Sequence, residues 1–377
     1  MEIEVSAEKL SKALNNVSRI ASSKVTLPVL NNVLIKVKDK KVSLITTNLD
    51  MAIIDFLPVS NSKDGVITVP ARLLAEFAST LPKKEKVTLS IKDDKINIEA
   101  GKYSSIINGA PADDFPELPE IDEKKAVVFK LSTEEFKNSA TQVVVASGND
   151  FNRPALTGVH FYTDDKNLYM IATDGYRVAK KKLISEVKSE ISVTIPSNSL
   201  QEVLRSIDDS MDEIEIAFNE DLIRFRLGEI EIISKIIDAE YPPVGNLIPK
   251  TTKISIDVDR EELIRVVKLA SLFARHATND IIAFETKSPD TLSIYSIANE
   301  FGENNSSIDT KVNEDGKIFM TSHYLLDALN VIDSPKISIN FNNGATGNPI
   351  ESAMILKGTN SEDYIHIIMS VDDSNVG

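Results

Sequence analysis

Residues 5–17 read "VSAEKLSKALNNV". A serine able to cap, a glutamate in the first turn, and Leu10, Ala13, Leu14 and Val17 at helical spacing predict an amphipathic helix with one apolar stripe. The same pattern returns as "LSTEEFKNSATQVVVA" from Leu131 and as "DVDREELIRVVKLA" from Asp257, two steps of 126 residues. A second helical signature starts at Val69 ("VPARLLAEFASTL"), Ile195 ("IPSNSLQEVLRSI") and Met320 ("MTSHYLLDALNVI"), at steps of 126 and 125. In the first two of these a proline stands at the helix start, where its missing N–H costs nothing. Alternating strands lie between the helices: "KVSLITT", "KINIEA", "LIRFRL", "KISIDV" and "KISINF". In "LIRFRL", Ile223, Phe225 and Leu227 are expected on one face, and Arg224 and Arg226 on the other.

A period near 126 is too long for a solenoid. It predicts three copies of one α+β domain, each internally duplicated, with two helices packed on antiparallel sheets. The proline-rich stretches "APADDFPELPE" and "DAEYPPVGNLIPK" place the boundaries, giving domains at 1–122, 123–252 and 253–377. Asp114-Phe115-Pro116 and the looser Asp238…Tyr241-Pro242 mark the same point of the period.

Composition narrows the functional classes. Cysteine is absent, which removes disulfides, thiolate nucleophiles and cysteine metal sites and fits a reducing cytoplasm. No apolar run reaches the roughly 20 residues of a membrane span, and the N-terminus lacks the pattern of a secretory signal. A cytoplasmic protein with no membrane partner is expected. The net charge of −15 argues against nucleic acid only if it is evenly spread. It is not. The six helical segments together carry +5, so the remainder carries −20. On the first helix Lys12, Asn16 and Arg19 lie opposite the apolar stripe; on the fifth, Arg265 and Lys268 do. A solvated face explains any one helix. Three equivalent domains would gather such faces on one surface, suited to a phosphate backbone and carrying no base code.

The chain resembles the bacterial β sliding clamps, the processivity subunits of the replicative DNA polymerase, over its whole length. The resemblance is carried by "TLPVLNNVLI" (26–35), "VPARLL" (69–74), "PADDFPEL" (111–118), "RPALTGVHF" (153–161), "ATDGYRVA" (172–179), "YPPVGNLIPK" (241–250) and "YLLDALN" (324–330), in this order and at this period. It implies a DNA clamp fold and a head-to-tail homodimer. Six domains would close a ring around duplex DNA, with helices inside and sheets outside. Expected partners are duplex DNA, the replicative polymerase subunit, an ATP-driven clamp loader, repair polymerases and mismatch-repair proteins. The expected place is the bacterial cytoplasm, at the nucleoid.

"ATDGYRVA" reads on its own as a hairpin turn, with "LYMIA" and "RVAKKKL" as flanking strands. An aspartate beside an arginine is more often an ion pair than an acid–base site. No phosphate-cradling loop, His-Glu-x-x-His or Gly-x-Ser-x-Gly motif is present, and His160, His276, His323 and His366 are scattered. The resemblance makes the turn one wall of a partner-peptide pocket formed by Leu156, Thr173, Gly175, Tyr176, Arg177, Val178, Pro242, Leu247, Tyr324, Ile367, Ile368 and Met369. Each apolar member also fits ordinary core packing. The resemblance further implies Lys12, Arg19, Lys24, Arg72, Asn152, Arg153, Arg205, Arg265 and Lys268 near DNA, and Ile106 and Ile107 against Leu272 and Phe273 at the dimer edge. It implies no cofactor, no metal and no catalysis.

Two positions depart from the family pattern: Ser370 stands where proline is usual, and Asn246 where a basic residue is common. The fourth helix is also less basic than the family's, with Arg205 its one cation. Two other readings remain open: a clamp-fold interaction scaffold with weak ring closure, and a hydrolase built on Asp113, Asp114 and Glu117.

Overall fold

The computed structural model describes all residues except 22–26, 60, 250, 277–279, 299–300, 344–351 and 372–377. Its helices are α1 (Ala7–Ser18), α2 (Ala71–Thr80), α3 (Thr133–Val144), α4 (Ser197–Ser206), α5 (Arg260–Ala274) and α6 (Ser322–Val331). All six fall where the repeated signatures put them. The Ser6 hydroxyl accepts from Lys9 N at the start of α1, and the Asp259 carboxylate from Glu262 N at the start of α5. Leu10, Ala13, Leu14 and Val17 are buried, as are Leu263, Val266, Val267 and Ala270. Each buried leucine or valine contributes on the order of 1.5–3 kcal/mol.

The chain folds as two compact units, Met1–Glu134 with Gln201–Ile236, and Glu135–Leu200 with Ile237–Gly377. Every strand pair between named strands is antiparallel. The first unit holds a five-stranded sheet ending on Tyr103–Asn108 and an eight-stranded sheet. The second holds an eight-stranded sheet and a four-stranded sheet ending on Gly302–Asp309.

Each eight-stranded sheet joins four strands from one repeat to four from the next. In the first unit the joint is Met51–Leu57 against Ile230–Lys235, with Asp55 opposite Ile230. In the second it is Arg177–Ile184 against Tyr364–Met369, with Lys181 opposite Tyr364. Asp55 and Lys181 are one period apart, so the two joints are equivalent.

The proline-rich stretches close these sheets from the side away from the helices. Thr46 donates its hydroxyl to Val17 O in α1, so Ile45 points the other way. There Ile45 and Ile54 pack with Phe115, Ile121, Leu222 and Ile233. In the second unit Val244 packs with Ile171, Val178, Ile355 and Ile367, flanked by Tyr241, Ile248 and Met369.

Arg224 and Arg226 take the face the alternation gives them, but for Arg224 that face is buried. Arg224 is 8% exposed and held by Glu123 at 3.0 Å and Glu215 at 3.2 Å, while Arg226 binds Glu231 at 2.8 Å. The strand alternation is obeyed, but carboxylates line the face it assigns to the arginines.

Candidate partner-peptide pocket and nucleic-acid interface

"ATDGYRVA" is a hairpin connection between the strands Asn167–Thr173 and Arg177–Ile184. Three residues make the turn, one more than the tightest hairpin. Asp174 organises it: one carboxylate oxygen accepts from Tyr176 N at 2.9 Å and Arg177 N at 3.1 Å. Thr173 Oγ1 donates to Arg177 O and accepts from Gly175 N. Gly175 has φ +99°, and a Cβ there would sit 3.1 Å from the Arg153 guanidinium. Both facts favour glycine at this place.

The Arg177 guanidinium is 8% exposed and held from two sides. Asp174 binds Nε at 3.0 Å, and Asp327 of α6 binds a terminal nitrogen at 2.7 Å. It also lies 4.5 Å from the centre of the Tyr324 ring. Tyr324 in turn stacks near Tyr176, with centroids 6.5 Å apart and planes at 18°. Burial first, and the Asp174 charge second, raise the Tyr324 pKa. The aspartate–arginine pair is therefore structural. It locks the turn and presents Tyr176, which is 61% exposed.

The last strand completes the site. Met369 N donates to Tyr176 O at 2.8 Å, and Ile367 pairs with Val178. Ile367 and Met369 pack on the face shared with Val178 and Val244. Ile368 is fully buried and takes the opposite face, with Tyr364, whose hydroxyl bonds α3 through Gln142 O. Ile367 is equally buried, so the two side chains differ in the face they take and not in exposure. Leu156 is buried behind the turn, its carbonyl accepting from Gly148 N. Pro242 is exposed, and its carbonyl accepts from Val244 N. The side chain of Leu247 lies outside the described residues, as does that of Asn246. Asp327, through Arg177, and Tyr241 and Val244, through Val178 and Ile367, also contact these candidate residues. A sequence signal existed for Asp327, three residues after Tyr324 and thus on the same helix face.

The candidate DNA-facing residues divide into two sets. Arg72, Arg265 and Lys268 are exposed and make no ion pair among the described residues. Lys12 instead binds Asp208 at 2.5 Å, whose carboxylate is held down to a pKa of about 2 mainly by that contact. Arg19 binds Glu202 at 2.8 Å and Ser206 at 2.5 Å, and Arg205 binds the other oxygen of Glu202 at 2.5 Å. Arg153 is paired with Asp150 at 3.1 Å, and Asn152 bonds the same aspartate. Lys24 lies outside the described residues.

At the expected dimer edge, Ile106 is 67% exposed but Ile107 only 8%, because neighbours on a strand point to opposite faces. Leu272 is exposed on α5 and Phe273 half-buried. Asp113, Asp114 and Glu117 are exposed around a three-residue turn. No group of three or more metal-ligating side chains is found among the described residues.

The comparisons with known proteins match this architecture repeat by repeat. The N-terminal domain of the DNA polymerase III beta subunit matches residues 1–119, its central domain 130–243 and its C-terminal domain 245–372. The chain belongs to the DNA polymerase III beta subunit family. The beta sliding clamp of Bacillus subtilis is 28% identical over 384 residues, covering 98% of this chain and 99% of the relative. The crystal structure of the Bacillus subtilis clamp superimposes with a TM-score of 0.91 at 27% identity, over 99% of both chains. The clamp of Bartonella birtlesii, solved bound to griselimycin, gives a TM-score of 0.89 at 26% identity, again over 99% of both.

Proposed function

We propose that this clamp closes head to tail with a second copy around duplex DNA and recruits partner proteins through the Tyr176–Arg177 pocket. The observation that carries the ring is the repeated joint. Met51–Leu57 meets Ile230–Lys235, and Arg177–Ile184 meets Tyr364–Met369, in the same way. The strands at the corresponding places in the remaining sheets are Tyr103–Asn108 and Gly302–Asp309. Each is the last of its sheet, with one neighbour. Pairing them between two chains makes a third joint of the same kind and removes both open edges. Tyr103 and Ile106 on one edge, and Leu269 and Leu272 beside the other, are exposed apolar groups such a joint would cover.

The clamp carries no chemistry of its own. It tethers a replicative polymerase subunit and also serves repair polymerases and mismatch-repair proteins in the cytoplasm. An ATP-driven loader opens it. The exposed Arg72, Arg265 and Lys268 supply contacts to phosphates without reading bases. Tyr241 and Met369, half-buried over the core residues Val178 and Ile367, take apolar anchors of an extended tail, and Tyr176 and Pro242 form the rim.

Sedimentation equilibrium at micromolar concentration tests the ring, followed by retention on circular against linearised DNA. A mass near twice 41.5 kDa with retention on circles alone supports it. A persistent monomer favours the second reading, an interaction scaffold with weak closure. The carboxylate of Glu202, which neutralises Arg19 and Arg205, is the observation on that side.

A further inference from the structure

The two equivalent joints carry different side chains at matching places. Asn16 and Gln142 are one period apart, as are Asp55 and Lys181. Opposite Lys181 stands Tyr364, fully buried, whose hydroxyl donates to Gln142 O at 3.0 Å and lies 2.8 Å from His366 Nδ1. That joint is plugged. In the first unit Ile230 and Ile232 occupy the places of Tyr364 and His366. A cavity of about 590 Å³ opens there, bordered by α1, the end of the Met51–Leu57 strand and residues 208–215. Its size suits a small ligand or a short stretch of chain.

The walls specify a chemistry. Ala13, Leu57, Met211 and Ile230 give an apolar side. Of the charged groups, Lys12 is engaged by Asp208, Lys130 by Glu213, and Arg226 by Glu215 and Glu231. That leaves the carboxylates of Asp55, Asp212 and Glu229 against Lys9, none of them ion-paired among the described residues. Asp55 is 6% exposed. The one hydrogen bond to its carboxylate among the described residues comes from Asn16, 2.9 Å to Oδ2. Burial, with a smaller push from Glu229, raises its pKa; Asn16, Lys12 and Arg19 oppose that shift. A buried carboxylate facing a second one is stabilised by an incoming cation.

We propose that this cavity binds an ammonium or guanidinium group on an apolar stem, with Asp55 and Glu229 as its counter-ions. Such a group is offered by a basic side chain of a partner polypeptide or by a free polyamine. The proposal stands apart from the ring and from the Tyr176 pocket.

Titration calorimetry on the full chain tests it with two probes, N-acetyl-leucyl-arginine amide and spermidine. At least one should bind with measurable heat. Asp55→Asn should weaken that binding at least ten-fold, and Glu229→Gln several-fold. Ile230→Tyr, which rebuilds the plug of the second unit, should abolish it. Dipeptide binding alone assigns the site to a partner chain, and spermidine binding alone to a free polyamine; either supports the chemistry. No heat from either probe at millimolar concentration overturns the proposal, as does unchanged affinity in Asp55→Asn. Thermal melts check each variant, and if Ile230→Tyr fails to fold, the two isosteric carboxylate variants decide.

Discussion

Arg177→Ala removes a cation that three groups share, and its cost can be built up from the geometry. The Asp174 pair is buried on both sides, with side chains 9% and 13% exposed. Losing one partner of a fully buried pair costs about 3–5 kcal/mol. Asp174 keeps two backbone N–H donors, so about 2 kcal/mol is the better figure here. The Asp327 carboxylate is 40% exposed and can rehydrate, which limits that pair to about 0.5 kcal/mol. The contact with the Tyr324 ring adds about 0.5–1 kcal/mol. The total is about 3 kcal/mol, or a fall in Tm of roughly 6–12 °C for a unit of this size. Scanning calorimetry should show that fall. Arg177→Lys should recover only part of it, since an ammonium cannot serve both aspartates in the same plane. Binding of a polymerase tail peptide should weaken at least ten-fold in Arg177→Ala, because the turn presenting Tyr176 loosens. A Tm within 2 °C of the parent, with unchanged peptide affinity, would refute the claim that Arg177 organises this turn.

Gly175→Ala forces a side chain into φ +99° and against Arg153; a loss of about 1–3 kcal/mol is expected, read as a lower Tm with weaker tail-peptide binding. Ile106→Asp should leave folding intact and shift the sedimentation mass toward the monomer, whereas Ile107→Asp, on the buried face, should lower Tm steeply; equal behaviour of the two would contradict the alternation. Burial holds the His366 pKa down to about 3, with the Arg177 charge a smaller contribution, and burial holds His160 near 4. Both fold as neutral rings, so their contribution is complete above the unfolded value of about 6.5 and is lost as pH falls toward those folded values, at up to about 1.4 kcal/mol per pH unit for each. Melting curves between pH 7.5 and 5 should show this loss, and His366→Gln should flatten the slope. Arg265→Glu with Lys268→Glu should shorten retention on circular DNA without changing native mass; unchanged retention would remove α5 from the DNA-facing surface.

Much of this fold was legible before any coordinates, because its signals are local. A cap, an apolar stripe at 3.6 spacing and a proline at a helix start are properties of a dozen neighbouring residues. The step of 126 residues then multiplied one reading into three, and the strand alternation of "KVSLITT" or "KISINF" needed nothing beyond its own length. The hairpin at Asp174-Gly175 was equally open to inspection, as was the pairing of that aspartate with Arg177.

What folding alone decided are the partnerships between residues far apart in the chain. Lys12 and Arg19 read as free cations on an open helix face, yet Asp208 and Glu202 from the next repeat meet them. The alternation assigns Arg224 a strand face, but its burial against Glu123 and Glu215 is not in the pattern. Asp327 reaches Arg177 across 150 residues. The hollow beside Asp55, and the tyrosine that plugs its counterpart, arise because equivalent places in two joints carry different side chains. Local pattern fixes which face a side chain takes; only packing brings the opposite charge, or the empty space, that the face will meet.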